Sequence, residues 1–158
     1  LDDKVLTNFK RYDKDGEHEV TELNKGDNFI IKGNNLIALH SLKKRFVGKV
    51  KSVIIDPPYY FRNTKGSDAF NYNSNFKLST WLVFMKNRLE IAKELLSDEG
   101  FCIIVIGEEG YAHLKLLADD VFGEEKYVGT ISWRKSDNQA NIGEFAKVTD
   151  YILIYKKL

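Results

Sequence analysis

Four consecutive residues, Asp56, Pro57, Pro58 and Tyr59, bring together a carboxylate, a rigid stretch of backbone and an aromatic ring. The Asp56 carboxylate and the Pro57 carbonyl can each accept one hydrogen from an amino group on a flat base. Because proline holds φ at about −65°, these carbonyls point in fixed directions. The Tyr59 ring offers a face on which a base taken out of its stack can lie. The segment predicts chemistry at an exocyclic amino group, and the alternative is an ordinary turn that ends a strand.

The elements around this segment alternate between strands and helices. Short apolar runs predict strands, and apolar residues at helical spacing predict amphipathic helices. Strands that alternate with helices indicate a parallel sheet with helices on both faces, and a closing strand pair indicates an antiparallel edge strand. In chain order we expect a strand over residues 29–31, a helix between Asn34 and Gly48, a strand over 50–55, a helix over 80–96, a strand over 101–106, a helix over 108–122, and strands over 127–133 and 151–155.

Local signals predict where some of these elements end. Asn34 and Ser79 have the side chains of N-cap residues, and residues 97–100 are expected to form a turn. Asp56 directly follows the strand over residues 50–55. Ligands of open α/β sheets bind outside the carboxyl ends of the strands, so Asp56 is expected at a ligand-binding edge.

Composition limits the classes of protein that this chain can belong to. Its 158 residues, with 43% apolar and 30% charged, are typical of one globular domain. A single cysteine, Cys102, excludes an internal disulfide framework and fits a reducing, cytoplasmic setting, and three scattered histidines predict no metal site. No apolar run approaches the roughly 20 residues of a membrane helix. The first residue, Leu1, is not methionine, so we expect the chain to be a piece of a longer protein.

The Asp-Pro-Pro-Tyr motif at residues 56–59 and the segments that flank it resemble amino-group DNA methyltransferases. The form that begins with Asp is similar to the adenine branch of these enzymes, and the order of segments is similar to the modification subunits of type III restriction systems. The resemblance covers residues 28–157. It is carried by residues 31–36 and 39–42 before the motif, and by residues 70–73, 81–82, 84–89 and 95–100 after it.

The resemblance implies the α/β sandwich of S-adenosylmethionine-dependent methyltransferases, a Rossmann-like fold with a mixed sheet and an antiparallel edge strand. It also implies an incomplete domain of permuted order, in which residues 28–158 form the catalytic-motif half and residues 1–27 form a polar amino-terminal arm or a small hairpin. None of the eleven glycines forms the cluster of a donor-binding loop, so that loop is expected beyond Leu158.

By the same resemblance, the expected function is methyl transfer from S-adenosylmethionine to the amino group of a flipped adenine. Asp56, Pro57, Pro58 and Tyr59 are the expected catalytic residues: Asp56 and the Pro57 carbonyl orient the amino group, and Tyr59 stacks on the base. Asn34 and Asp56 are the expected contacts of S-adenosylmethionine.

The expected partners are double-stranded DNA, a second copy of the protein and a helicase–nuclease restriction subunit. Arg134, Lys135 and Asn138 carry side chains that contact phosphates and base edges in DNA complexes, although an exposed polar loop is an equal alternative. The net charge of +1 neither requires nor excludes a nucleic-acid partner. Residues 60–62 depart from the Asn-Thr-Gly that follows the motif in many relatives. This departure leaves an inactive or regulatory DNA-binding module as a second hypothesis, and methylation of cytosine, RNA or protein as a third.

Overall fold

A computed structural model of the chain describes residues 6–21, 24, 26–60, 77–135 and 148–158. The chain forms two compact units, Leu1–Arg45 and Phe46–Leu158. The first unit contains an antiparallel hairpin of β1 (Lys10–Asp13) and β2 (Gly16–Glu19), which is one of the two forms expected for the amino-terminal arm. In the described parts of both units, no helix is long and apolar enough to cross a bilayer.

Helix α1 (Asn35–Phe46) begins where the sequence predicted. The Asn34 side-chain oxygen accepts a hydrogen bond of 3.0 Å from the Leu36 backbone N–H, so Asn34 is confirmed as the N-cap. The strand predicted over residues 29–31 is wrong, because these residues have no strand structure and the Ile30 side chain is fully exposed. A strand requires a neighbour for its backbone hydrogen bonds, and no strand in the described ranges pairs with this segment.

The second unit is a four-stranded mixed sheet with two helices. Its strands lie in the order β3-β4-β6-β5, with β3 and β4 parallel and β6 antiparallel to both of its neighbours. The edge strand β5 therefore belongs to an antiparallel pair, as the sequence predicted. The elements are β3 (Val50–Ile55), α2 (Leu78–Leu95), β4 (Leu96–Gly107), α3 (Glu108–Phe122), a short 3-10 turn (Glu124–Lys126), β5 (Tyr127–Arg134) and β6 (Thr149–Lys156).

Two predicted ends differ from the structure. Helix α2 begins at Leu78, after Lys77 as N-cap, and no side chain caps it, so the prediction of Ser79 as N-cap is wrong. The Leu78 side chain packs against the core. This packing favours a helix that begins at Leu78, before the position that the capping side chain of Ser79 indicates. Residues 97–100 lie within β4, but the pairing with β3 shifts between Leu96 and Phe101, so the predicted turn is a bulge.

The core lies between one face of the sheet and both helices. Alternate residues of β4, Cys102, Ile104 and Ile106, are fully buried against side chains of α2 and α3. The buried position of Cys102 is that of a small apolar residue. Helices α2 and α3 lie on the same face of the sheet, and Ile54, which points to the opposite face, is 72% exposed.

Candidate active site

Three strand ends meet at one edge of the sheet. Asp56 follows the last residue of β3, and Gly107 is the last residue of the parallel strand β4. Because β6 runs in the opposite direction, its beginning lies at the same edge, and Asp150 is directly opposite Gly107 in the pairing. The structure therefore places the motif at the carboxyl ends of the parallel strands, where ligands of such sheets bind.

A buried tryptophan fixes the backbone of the motif. The Trp81 indole Nε1–H donates a hydrogen bond of 2.8 Å to the Pro58 carbonyl oxygen, and the Trp81 side chain is fully buried. Pro57 is buried as well, whereas Asp56 is exposed. The segment is thus anchored on its core side and presents the Asp56 carboxylate on its open side.

The Tyr59 ring lies against the end of β4. A Cβ added to Gly107 would lie 3.0 Å from Tyr59 Cδ2 and 3.6 Å from Asp150 Oδ1, so the ring and this carboxylate flank the same glycine. Burial, and then the negative charges of Asp150 and Asp56, raise the pKa of the Tyr59 phenol to about 12. The phenol is therefore neutral at physiological pH and has one hydrogen to donate.

Lys135 joins this group through an ion pair. Its ammonium Nζ lies 2.9 Å from Asp150 Oδ1, and its backbone N–H donates a hydrogen bond of 2.8 Å to the Val148 carbonyl. Arg134 is exposed at the end of β5, and Asn138 lies outside the described residues. The structure thus brings one of the three predicted DNA contacts, Lys135, to the neighbourhood of Tyr59 through Asp150.

Comparison with known proteins decides which family this site belongs to. The N6_N4_Mtase family model, described as DNA methylase, matches residues 50–158, a range that includes the whole motif and all of the site residues above. The chain belongs to this DNA methylase family. The family accounts for the order of strands and helices from β3 to β6.

The chain has relatives that are named as modification subunits. It is 49% identical over 138 residues to a Haemophilus influenzae protein named Probable type III restriction-modification enzyme HindVI Mod subunit, which covers 84% of the chain and 18% of that protein. It is 32% identical over 175 residues to the type III restriction-modification enzyme EcoP15I Mod subunit of Escherichia coli, which covers 91% of the chain and 26% of that protein. The chain thus spans about a fifth to a quarter of the length of these relatives.

Solved structures with the same fold include two from this class. The PvuII DNA methyltransferase, named as cytosine-N4-specific, matches with a TM-score of 0.55 at 12% identity, over 80% of the chain and 48% of that structure. TTHA0409 of Thermus thermophilus, solved in complex with S-adenosyl-L-methionine, matches with a TM-score of 0.53 at 18% identity, over 76% of the chain and 52% of that structure. At these identities the matches confirm the methyltransferase fold.

The residue that follows the motif, Tyr60, has a packing role in the DNA methylase. Its ring centroid lies 5.9 Å from that of Trp81 and 5.9 Å from that of His113, with the latter pair edge to face. Residues 60–62 differ from the Asn-Thr-Gly of many relatives, and the first of them, Tyr60, contacts both α2 and α3. The other two, residues 61 and 62, lie outside the described residues.

The predicted cofactor contacts Asn34 and Asp56 lie in different units of the DNA methylase. The Asn34 side chain caps α1, and the Asp56 carboxylate is exposed at the end of β3. Their joint contact with S-adenosylmethionine stays a prediction. Within the described ranges no cluster of His, Cys, Asp and Glu side chains is arranged to hold a metal ion.

Sequence reasoning missed Trp81, Gly107 and Asp150 as parts of the site. A signal for Trp81 was present, since a buried indole N–H requires an acceptor and Trp81 follows the motif loop at the first turn of a helix. A signal for Asp150 was its place at the beginning of an antiparallel strand, where a charged side chain reaches the carboxyl ends of the parallel strands. No local pattern marked Gly107 as the neighbour of Tyr59.

Proposed function

We propose that the chain carries the base-binding and catalytic part of a DNA adenine-N6 methyltransferase. The observation that carries the proposal is the Asp-Pro-Pro-Tyr segment at the carboxyl edge of the sheet, anchored by the hydrogen bond from Trp81 to the Pro58 carbonyl. An exposed carboxylate, a rigid backbone and an aromatic ring lie side by side there. These are the groups that hold an amino group on a flat base.

The proposed chemistry takes place at the amino nitrogen of a flipped adenine. The Asp56 carboxylate accepts one amino hydrogen and the Pro57 carbonyl accepts the other, which turns the nitrogen lone pair away from both acceptors. The Tyr59 ring stacks on the base, a contact worth about 1–3 kcal/mol per base. When a methyl group is added, the nitrogen becomes positively charged. Asp56 stabilises this charge and takes up the proton that leaves.

The donor chemistry fits the same edge. S-adenosylmethionine, when bound, supplies a methyl group activated by a sulfonium charge. The exposed Asp56 carboxylate is chemically suited to a cationic ligand, and Asp56 is the donor contact proposed from the second unit; Asn34 is the contact proposed from the first.

Adenine is the proposed target because the motif begins with Asp, as in the adenine branch that this sequence resembles, and because two relatives, at 49% and 32% identity, are named as type III Mod subunits. In such a system the proposed partners are double-stranded DNA, a helicase–nuclease restriction subunit and a second copy of the protein. Arg134 and Lys135 are the proposed phosphate contacts from the described part of the chain, and Asn138 is a third.

The test is to measure methylated bases formed by the full-length protein that contains this chain. Duplex DNA is incubated with the protein and labelled S-adenosylmethionine, digested to nucleosides and analysed by mass spectrometry. We expect N6-methyladenine, and we expect Asp56→Ala to lower kcat by about a hundredfold or more while DNA affinity changes by a few-fold, because phosphate contacts dominate affinity. Asp98→Ala is the matched control, since Asp98 is an exposed aspartate in the bulge of β4. N4-methylcytosine as the product would overturn the adenine assignment, and DNA binding without any methylated base would favour a regulatory module.

A further inference from the structure

Asp150 is a charged residue that the proposed chemistry does not use, although its side chain lies inside the candidate active site. Only 13% of this side chain is exposed, and Asp150 is paired with Gly107 directly beside the Tyr59 ring. Burying a carboxylate is costly unless it has partners. Asp150 has partners of two kinds, the Lys135 ammonium at 2.9 Å and the Tyr59 phenol.

Both Asp150 and Asp56 act on the Tyr59 phenol by charge and by hydrogen bonding, but the phenol has only one hydrogen to donate. If the hydroxyl donates to Asp56, it occupies an oxygen that the amino group of the base requires. If it donates to Asp150, both Asp56 oxygens remain available to the base. Asp150 is the more shielded of the two carboxylates, since Asp56 is exposed, and Asp150 Oδ1 lies beside the same glycine as the Tyr59 ring.

We propose that Asp150 is a positioning residue that accepts the hydroxyl hydrogen of Tyr59 and so keeps the Asp56 carboxylate free for the amino group. The Lys135 ammonium, 2.9 Å from Asp150 Oδ1, holds this carboxylate in place beside the phenol. The inference rests on the proposed function for its catalytic consequence. The hydrogen bond itself is a property of the chain that can be measured without DNA or donor.

The first experiment measures this hydrogen bond in the full-length protein. Tyrosine is labelled with ¹³C at the ζ carbon, and the Tyr59 resonance is identified by its loss in Tyr59→Phe. We expect Asp150→Asn to move this resonance and to lower the pKa of the phenol, because the negative charge that opposes ionisation is removed. Asp98→Asn, the same change in an exposed aspartate, should leave it in place. An unchanged Tyr59 resonance in Asp150→Asn refutes the proposal.

A second variant covers the case in which Asp150→Asn fails to fold. Lys135→Gln removes the positive charge beside Asp150, so we expect the pKa of Tyr59 to rise further. If the substitution only loosened the packing around Tyr59, the pKa of its phenol would instead return toward its ordinary value. A lowered pKa in Lys135→Gln therefore argues against the proposed arrangement.

The second experiment measures the catalytic consequence by a double-mutant cycle. We expect Asp150→Asn to lower kcat by about 10- to 100-fold, the factor for a hydrogen bond with a charged group, because the hydroxyl then turns to Asp56. With Tyr59→Phe no hydroxyl competes for Asp56, so the double variant should regain most of the activity that Asp150→Asn loses. An equal loss in both backgrounds means that Asp150 does not act through Tyr59. Absence of methylation by the unmodified protein refutes the proposed function, and the resonance measurement still decides the role of Asp150.

Discussion

The hydrogen bond between Trp81 and Pro58 gives the sharpest test of how the fold supports the motif. Trp81→Phe removes the indole N–H that lies 2.8 Å from the Pro58 carbonyl oxygen and leaves an aromatic ring in a fully buried position. Loss of the hydrogen bond costs about 0.5–1.5 kcal/mol of unfolding free energy. Loss of roughly two buried carbons adds about 1.6 kcal/mol, at about 0.8 kcal/mol for each CH₂ group. We therefore expect the full-length protein to lose about 2–3 kcal/mol of stability.

The same substitution should also affect the proposed reaction. Without the indole N–H of Trp81, the Pro58 carbonyl is no longer fixed, and the backbone of the neighbouring Pro57 loses its fixed direction as well. We therefore expect kcat to fall about two- to tenfold, which is the rate factor that corresponds to the free energy of this hydrogen bond. Methyl transfer is measured per folded molecule, with unfolding followed by circular dichroism in denaturant.

Leu89→Ala is the matched control for Trp81→Phe. Leu89 is fully buried on the same face of α2, two turns away from the motif, and the substitution should cost about 2–5 kcal/mol of stability. It should leave kcat per folded molecule unchanged. If Trp81→Phe is destabilised as calculated but keeps full kcat, the hydrogen bond has a structural role only, and our account of the motif is refuted.

Further predictions concern the ring, its glycine neighbour and the buried thiol. Gly107→Ala places a Cβ about 3.0 Å from the Tyr59 ring, so it should weaken binding of a duplex with a flipped base analogue, whereas Gly129→Ala, which meets no atom within 4 Å, should not. Tyr59→Phe should bind this duplex as the unmodified protein does, and Tyr59→Ala should lose about 1–3 kcal/mol of stacking; equal losses would assign the function to the hydroxyl instead. Burial raises the pKa of the Cys102 thiol to about 12, so a thiol reagent should react with it only after denaturation, and rapid labelling of the folded protein would contradict the core position.

The parts of the fold that sequence reasoning predicted are those that local patterns determine. The helix over residues 108–122 has the predicted bounds, because its apolar stripe begins after Gly107 and ends before Gly123. The position of the motif after β3 was predicted because two prolines end a strand. The Asn34 cap was predicted because its side chain bonds to the backbone two residues later.

The parts that were missed depend on distant neighbours. Residues 29–31 are apolar like a strand, but only a partner strand can give them strand structure. The start of α2 depends on how Leu78 packs against the core, which the capping signal at Ser79 does not contain. The sequence indicates that Asp150 lies at the beginning of a strand, but Asp150 meets Tyr59 only because that strand, β6, lies beside β4, and a local pattern does not contain this pairing.

The antiparallel direction of β6 has a consequence for how this protein can change during evolution. The chain leaves the sheet at Arg134 and returns at Thr149, and both residues lie at the edge that carries the motif. The backbone hydrogen bond from the Lys135 N–H to the Val148 carbonyl joins the two ends of this connection. Because its two ends are joined in this way, changes in the length of the connection leave the register of β5 with β6 and the packing of α2 and α3 unaltered. Evolution can therefore change the connection while the motif and the tryptophan that anchors it stay the same.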